Sequence, residues 1–312
     1  MTELESKWKP SPDIKTHRGE TIPSDLTFFT PPPQDIVNLR SASSTIQNGK
    51  IIQQTKFINK LVTGISIGFF CGLSLAAILR AAFGNSAIAL ISGLVVAIGL
   101  SIISIFSNLP ASCSYVGDSG IANYILKKKP NPNKGIGLFL FHQAEELRVE
   151  KIQHFANGIY TMTRYSFEWK KANGETVFNI NGEYHSPEDN PPPLDPYYFA
   201  LAAEKAWSLF KFELLHQELK QNGKVTFNVG NKDAIVIGQG YVELIKKGKP
   251  SRLDGNEIKQ VSLSQGIILI IPKEVKSSFL GFGSDGIWRI PYNTIANARI
   301  FMLIFDMLIN QK

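Results

Sequence analysis

From Ala81 to Gly117 the chain carries no charged side chain, and Leu61–Leu79 is a second charge-free run. Leu61–Leu79 and Ser86–Ser107 are each about 20 apolar residues long, and as helices rising about 1.5 Å per residue each spans the roughly 30 Å hydrocarbon core of a bilayer. Arg80-Ala-Ala-Phe-Gly-Asn85 forms the turn between them, with an arginine able to snorkel to headgroups, and Asn108-Leu-Pro110 stops the second run. The expectation is an integral membrane protein with a two-span helical hairpin over 56–108. Small residues recur at every fourth position: Gly64, Gly68, Gly72 and Ala76, then Ala89, Gly93, Ala97 and Ser101. Such faces let backbones approach closely. Gly64, Gly68, Gly72 and Gly93 are therefore candidate helix-packing positions, open equally to self-association.

Lys50, Lys56 and Lys60 precede the first run, the turn holds only Arg80, and Lys127–Lys129 follow the second. This bias places both termini in the cytoplasm. Residues 1–55 lack an early apolar core, so no signal peptide is expected. Their Pro, Ser, Thr and charge content predicts a mostly disordered cytoplasmic arm. Within it, Thr30-Pro-Pro-Pro-Gln-Asp35 reads either as a polyproline ligand or as plain tail.

The net charge is +7, with the surplus in the apolar region and the last third. Without an arginine stripe interleaved with aromatics, no nucleic-acid groove is expected. A surface facing anionic lipid suits the balance better. Two cysteines, Cys71 and Cys113, exclude a disulfide framework. GFGSDG (281–286) fits G-x-G-x-x-G, but a strand-like Ile-Trp-Arg-Ile-Pro stands next where a dinucleotide fingerprint needs a helix. GDSG (117–120) resembles a protease nucleophile stretch. However, the only upstream histidine is His17, in the tail and across both apolar runs in sequence, so a glycine-bounded turn is the expected reading. No two of the histidines stand at i, i+4, and no cysteine is near enough for a zinc site. No catalytic, cofactor or metal residue is therefore assigned, and a non-enzymatic protein is expected.

Beyond the apolar runs the pattern is that of strands. Ile159–Trp169 alternates, Asn173-Gly174 is a hairpin turn, and Thr176–Ile180 returns. Asp195 and Pro196 start a helix that Gly223 ends. Strands resume at Asp233–Ile237, Tyr241–Ile245, Gln265–Ile271 and Ile287–Tyr292, and a helix over about 294–310 closes the chain. A faint repeat aligns GDSGIANYILKKKP (117–130) with GQGYVELIKKGKP (238–250). Strands followed by one helix, twice, predict two small β-barrel or bent-sheet modules, at 109–220 with its helix at 195–220, and at 221–312. The class is α+β.

The stretches GDSGIANYIL, TRYSFEWKKANGE, GYVELIKKGKP and IWRIPYNTIANARIF resemble a group of uncharacterised bacterial membrane proteins with pleckstrin-homology-like (PH-like) modules, over roughly 110–312. The resemblance implies PH-like folds and no reaction; such folds bind lipid headgroups, peptides or their own copies.

The candidate functional residues are two lysine clusters in equivalent places of the repeat. One comprises Lys127, Lys128, Lys129 and Lys134, and the other Lys246, Lys247, Lys249 and Arg252. Each cation near an anionic leaflet is worth about 1 kcal/mol. The expected role is recognition of anionic lipid headgroups or a partner protein at the cytoplasmic membrane face. The alternative is a structural subunit or assembly factor of a membrane complex, with the lysines merely solvated tips.

Overall fold

Ser44 pairs with Cys113 across two antiparallel strands, β1 (Ser41–Ser44) and β4 (Ser112–Val116). The residues between them are thus an insertion between neighbouring strands of one sheet. The computed structural model describes residues 8–52, 57–84, 86–106, 110–186, 190–230, 232–274 and 286–310. It divides into two units, residues 45–111 and residues 1–44 with 112–312.

The inserted unit begins with a small hairpin, β2 (Ile46–Gln47) and β3 (Lys50–Ile51), turned at Asn48-Gly49 with both φ positive. Helices α1 (Phe57–Phe83) and α2 (Ser86–Phe106) come next and pack on each other through the small-residue faces. A Cβ on Gly72 would lie 2.5 Å from the Gly93 carbonyl oxygen, and one on Gly93 would lie 2.6 Å from that of Gly72. Gly68 is as tight against the Ala97 carbonyl, and Gly64 is buried. Phe69, Phe70, Ile78, Leu90, Ile91 and Val95 point outward and are exposed. Of the two spans expected, one helix among the described residues, over Gly64–Ala82, is long and apolar enough to cross a membrane. The described apolar part of α2, Ser86–Ser101, is shorter than a crossing needs.

The arm differs from its expectation. Residues 8–44 are folded, and Ile14, Phe28, Ile36 and Ala42 form an apolar cluster with Cys113, Tyr115 and Ala122. Trp8 packs edge-on against Phe28 and Tyr115 at 5.0 and 5.6 Å. Average composition concealed these anchors because polar residues separate them. The GDSG stretch holds the arm at residues 35–40. Ser119 Oγ donates to the Asp35 carbonyl at 2.7 Å and accepts from the Val37 amide at 2.9 Å, while Arg40 pairs with Asp118. The Tyr115 hydroxyl donates to the Thr30 carbonyl, so both ends of the TPPPQD stretch are tied to their own chain.

The first module therefore starts at β1, inside the arm, and not at 109. Its sheet runs β1-β4-β5 (Gly120–Ile125)-β6 (Gly137–Leu140). A second sheet is made by β7 (Glu146–Ala156), β8 (Ile159–Lys170) and β9 (Thr176–Tyr184). Then comes α3 (Pro196–Asn222). Asp195 caps α3 by accepting from the Tyr197 amide at 2.9 Å, and Gly223 ends it at φ 71°.

The second module repeats this order. Strands β10 (Lys224–Val229), β11 (Asp233–Gly238), β12 (Tyr241–Lys246) and β13 (Lys249–Asp254) form four-stranded order β10-β11-β12-β13. Three more, β14 (Ile258–Ser264), β15 (Ile267–Pro272) and β16 (Trp288–Pro291), precede α4 (Ala298–Asn310). Even the corner between sheets recurs. The Leu140 amide donates to Gln143 Oε1 at 3.1 Å, and the Asp254 amide donates to Glu257 Oε2 at 2.8 Å, each closing a short 3₁₀ turn. The fold is mixed α+β with open sheets. None closes into the barrel that the repeat allowed, because each module splits its strands into a four-stranded and a three-stranded sheet.

The two modules share one apolar core, which runs from Val116 and Ile121 through Trp169, Trp207 and Phe227 to Phe301 and Phe305. Residues 294–297 join them. The Gly230 amide donates to the Thr294 carbonyl and the Ala296 amide to that of Asn228, in the second module. The Asn297 amide donates to the Leu147 carbonyl in the first, all at 2.8 Å. Asn297 itself sits at φ 56°, a left-handed position that asparagine tolerates better than most residues.

Candidate functional site

Both lysine clusters follow the third strand of a four-stranded sheet. Lys127, at φ 63°, turns the chain out of β5, and Lys127, Lys128 and Lys129 are exposed. Lys134 is exposed on the 3₁₀ turn Pro132–Lys134 further along the same connection. In the second module the connection is far shorter. Lys246 and Lys249 face each other in register across the two-residue turn Lys247-Gly248, with φ of 49° and 76°. Positive φ at both positions is what a tight hairpin demands. The Lys247 amide is held by Asp233 Oδ1 at 2.9 Å, which fixes the turn and leaves the ammonium outside.

Among the described residues, the ammonium groups of Lys127–Lys129, Lys246, Lys247 and Lys249 make no ion pair. Arg252 does not belong with them. Its Nε donates to Asp254 Oδ1 at 3.0 Å, and its guanidinium lies 3.8 Å over the Tyr241 ring, so its charge is already engaged.

The folded arm brings together residues that the sequence left far apart. His17 Nδ1 is 2.8 Å from Ser41 Oγ and Nε2 is 2.9 Å from Ser114 Oγ, with Phe199 packed on the ring at 5.2 Å. Part of the residue still reaches solvent, yet the ring is enclosed by chain, and that burial pushes its pKa down to about 3. A hydrolase histidine is instead oriented by a carboxylate, which stabilises the imidazolium. Here a second serine takes that place and basicity is depressed, so the three residues act as a clasp. Ser119, the serine of GDSG, bonds to the arm backbone and not to His17.

Between α3 and α4 lies a buried carboxylate, Glu204. Burial raises its pKa, and Arg299, 4.0 Å away, opposes the shift. Tyr292 nearby is raised by the same burial. A cleft of about 340 Å³ opens between the end of α3, the β11–β12 turn and α4, with His216, Lys220 and Gln239 among apolar neighbours. Nothing in the periodicity pointed to it, because its walls come from three separated segments.

Among the described residues no group of three or more His, Cys, Asp or Glu is placed to hold a metal ion. Residues 281–285 of GFGSDG lie outside the described residues, and the next element in the chain is a strand, β16, where a dinucleotide site needs a helix. No protein-family model matches the chain, and a search of curated proteins returns no match.

Proposed function

We propose that this is a non-enzymatic membrane protein whose two PH-like modules meet anionic lipid headgroups through the β5 and β12 lysine tips. The observation that carries this reading is the repetition itself. Exposed lysines without ion pairs stand at the same place in two modules of one chain that also holds a membrane-length apolar helix. The order of four strands, three strands and one helix, met twice, supports the PH-like assignment.

Two spans with both termini in the cytoplasm complete the reading. Large apolar side chains of α2, Ile88, Leu90, Ile91, Leu94 and Val95, are as exposed as those of α1, and such surfaces are costly in water. The lysine bias around the pair then sets its orientation. Three lysines at a tip contribute about 3 kcal/mol if all reach an anionic surface.

The test is energy transfer from protein tryptophan to a dansyl-labelled anionic lipid around the full chain in vesicles. Transfer should fall with added salt and when Lys127–Lys129, Lys246, Lys247 and Lys249 are changed to Glu. Transfer unaffected by either change contradicts the proposal.

A further inference from the structure

Each module exposes a second kind of tip. The β7–β8 hairpin turns at Asn157-Gly158 and the β14–β15 hairpin at Gln265-Gly266, all four residues at positive φ. At the first, Phe155 and Ile159 are 59% and 72% exposed. At the second, Leu263 and Ile267 are 51% and 37% exposed. The positions correspond: the residue after each turn is an isoleucine, and the residue two before each turn is a large apolar one. The first tip also protrudes, since β9 pairs with β8 only as far as Thr163. A water-facing hairpin end normally carries polar residues, so four large apolar side chains at two equivalent ends call for a cover.

Charge placement selects that cover. No charged residue occurs over 155–163 or over 260–272. The first charges met going down each hairpin are all basic: Lys151 and Arg164 below one tip, Lys259 and Lys273 below the other. An apolar, aromatic-bearing end whose own two strands next carry cations matches the boundary between acyl chains and anionic headgroups, although at the first tip Lys151 lies 5.1 Å over the Tyr197 ring and Arg164 stands opposite Glu183 of β9. The Phe155–Tyr160 ring pair, at 5.9 Å, supplies the aromatic character favoured at that depth. So few side chains fall well short of the roughly 1,000 Å² of a stable protein interface, whereas shallow insertion needs no such area.

We propose that the Phe155–Ile159 and Leu263–Ile267 tips insert into the bilayer interface. This rests on the membrane-surface reading above and adds a hydrophobic contact that the lysines do not provide.

The test attaches an environment-sensitive NBD fluorophore at Ile159→Cys, or at Ile267→Cys, in full-length chain carrying Cys71→Ser. Vesicles are phosphatidylcholine alone or mixed with phosphatidylglycerol. Unchanged circular dichroism shows that the labelled chains fold. Insertion predicts blue-shifted emission, quenching by lipid-borne nitroxide and loss of quenching by aqueous iodide, all persisting at high salt. A probe open to iodide overturns the proposal. So does one shielded from iodide but untouched by nitroxide lipid, which reports protein contact. Dependence of the lysine tips on anionic lipid is read separately. Lysine contact with aqueous probes removes this inference alone. Inserted probes with indifferent lysines remove the headgroup reading and leave insertion standing.

Discussion

The indole N–H of Trp207, in the helix of the first module, donates to Oδ1 of Asn297, just before the helix of the second, at 2.9 Å. The same oxygen accepts from the Leu147 amide at 2.9 Å, and Asn297 Nδ2 donates to the Glu145 carbonyl at 3.1 Å. One buried side chain thus satisfies three groups of the first module from a position on the second.

Asn297→Ala removes all three bonds, strands the indole and amide donors and places alanine at a positive φ. A loss of about 3 kcal/mol is expected, against about 1 kcal/mol for Trp207→Phe if repacking is good. Thermal unfolding followed by tryptophan fluorescence checks this. A loss of no more than about 1 kcal/mol for Asn297→Ala would show that Asn297 does not join the modules.

His17 makes docking of the arm dependent on pH. Its folded pKa of about 3 lies below the ordinary 6.5, so the unfolded or undocked state binds the proton more tightly. Stability is therefore complete above about pH 6.5 and declines as the pH falls toward 3. Protection of the amides over 8–40, taken relative to their intrinsic exchange rate at each pH, should fall across that window, and His17→Gln should flatten the response. Protection that does not vary with pH would rule out a buried neutral imidazole.

Ser119→Ala withdraws one donor and one acceptor from the arm backbone, an expected cost of about 1–2 kcal/mol. Faster exchange localised to residues 35–37 is the signature. A GDSG that merely turned the chain would leave those amides unchanged.

At the helix crossing, Gly72→Val sets a side chain against the Gly93 backbone, which has no room to give. Gly99→Ala meets nothing within 4 Å. The first change should open the α1–α2 pair to limited proteolysis in detergent and the second should not. Equal resistance would place the helix contact elsewhere.

Where a local signal sufficed, the sequence was legible. Asp195, Pro196 and Gly223 bracket α3 as their capping chemistry requires. Thr163, Tyr165, Phe167 and Trp169 are buried along β8 as their alternation indicated, and Gly174 turns β8 into β9 at φ 84°. The lysine tips also fall where the repeat put them. Strand β1 left no such signal. Ser-Ala-Ser-Ser has little strand propensity, and its partner β4 lies beyond the whole helix pair. The arm looked disordered because disorder was judged from average composition, whereas Trp8, Phe28 and Ile36 act at single points. Arg252 counted as a free cation only because Tyr241 and Asp254 are its neighbours in the fold, across the β12–β13 hairpin and along β13.

The central claim, that the two lysine tips face anionic headgroups, is tested most directly by hydrogen exchange on the full chain in nanodiscs. Amides of residues 126–136 and 245–250 should be protected in discs containing phosphatidylglycerol, and less so in pure phosphatidylcholine or at high salt. Equal exchange in both lipids at both salt concentrations would contradict it.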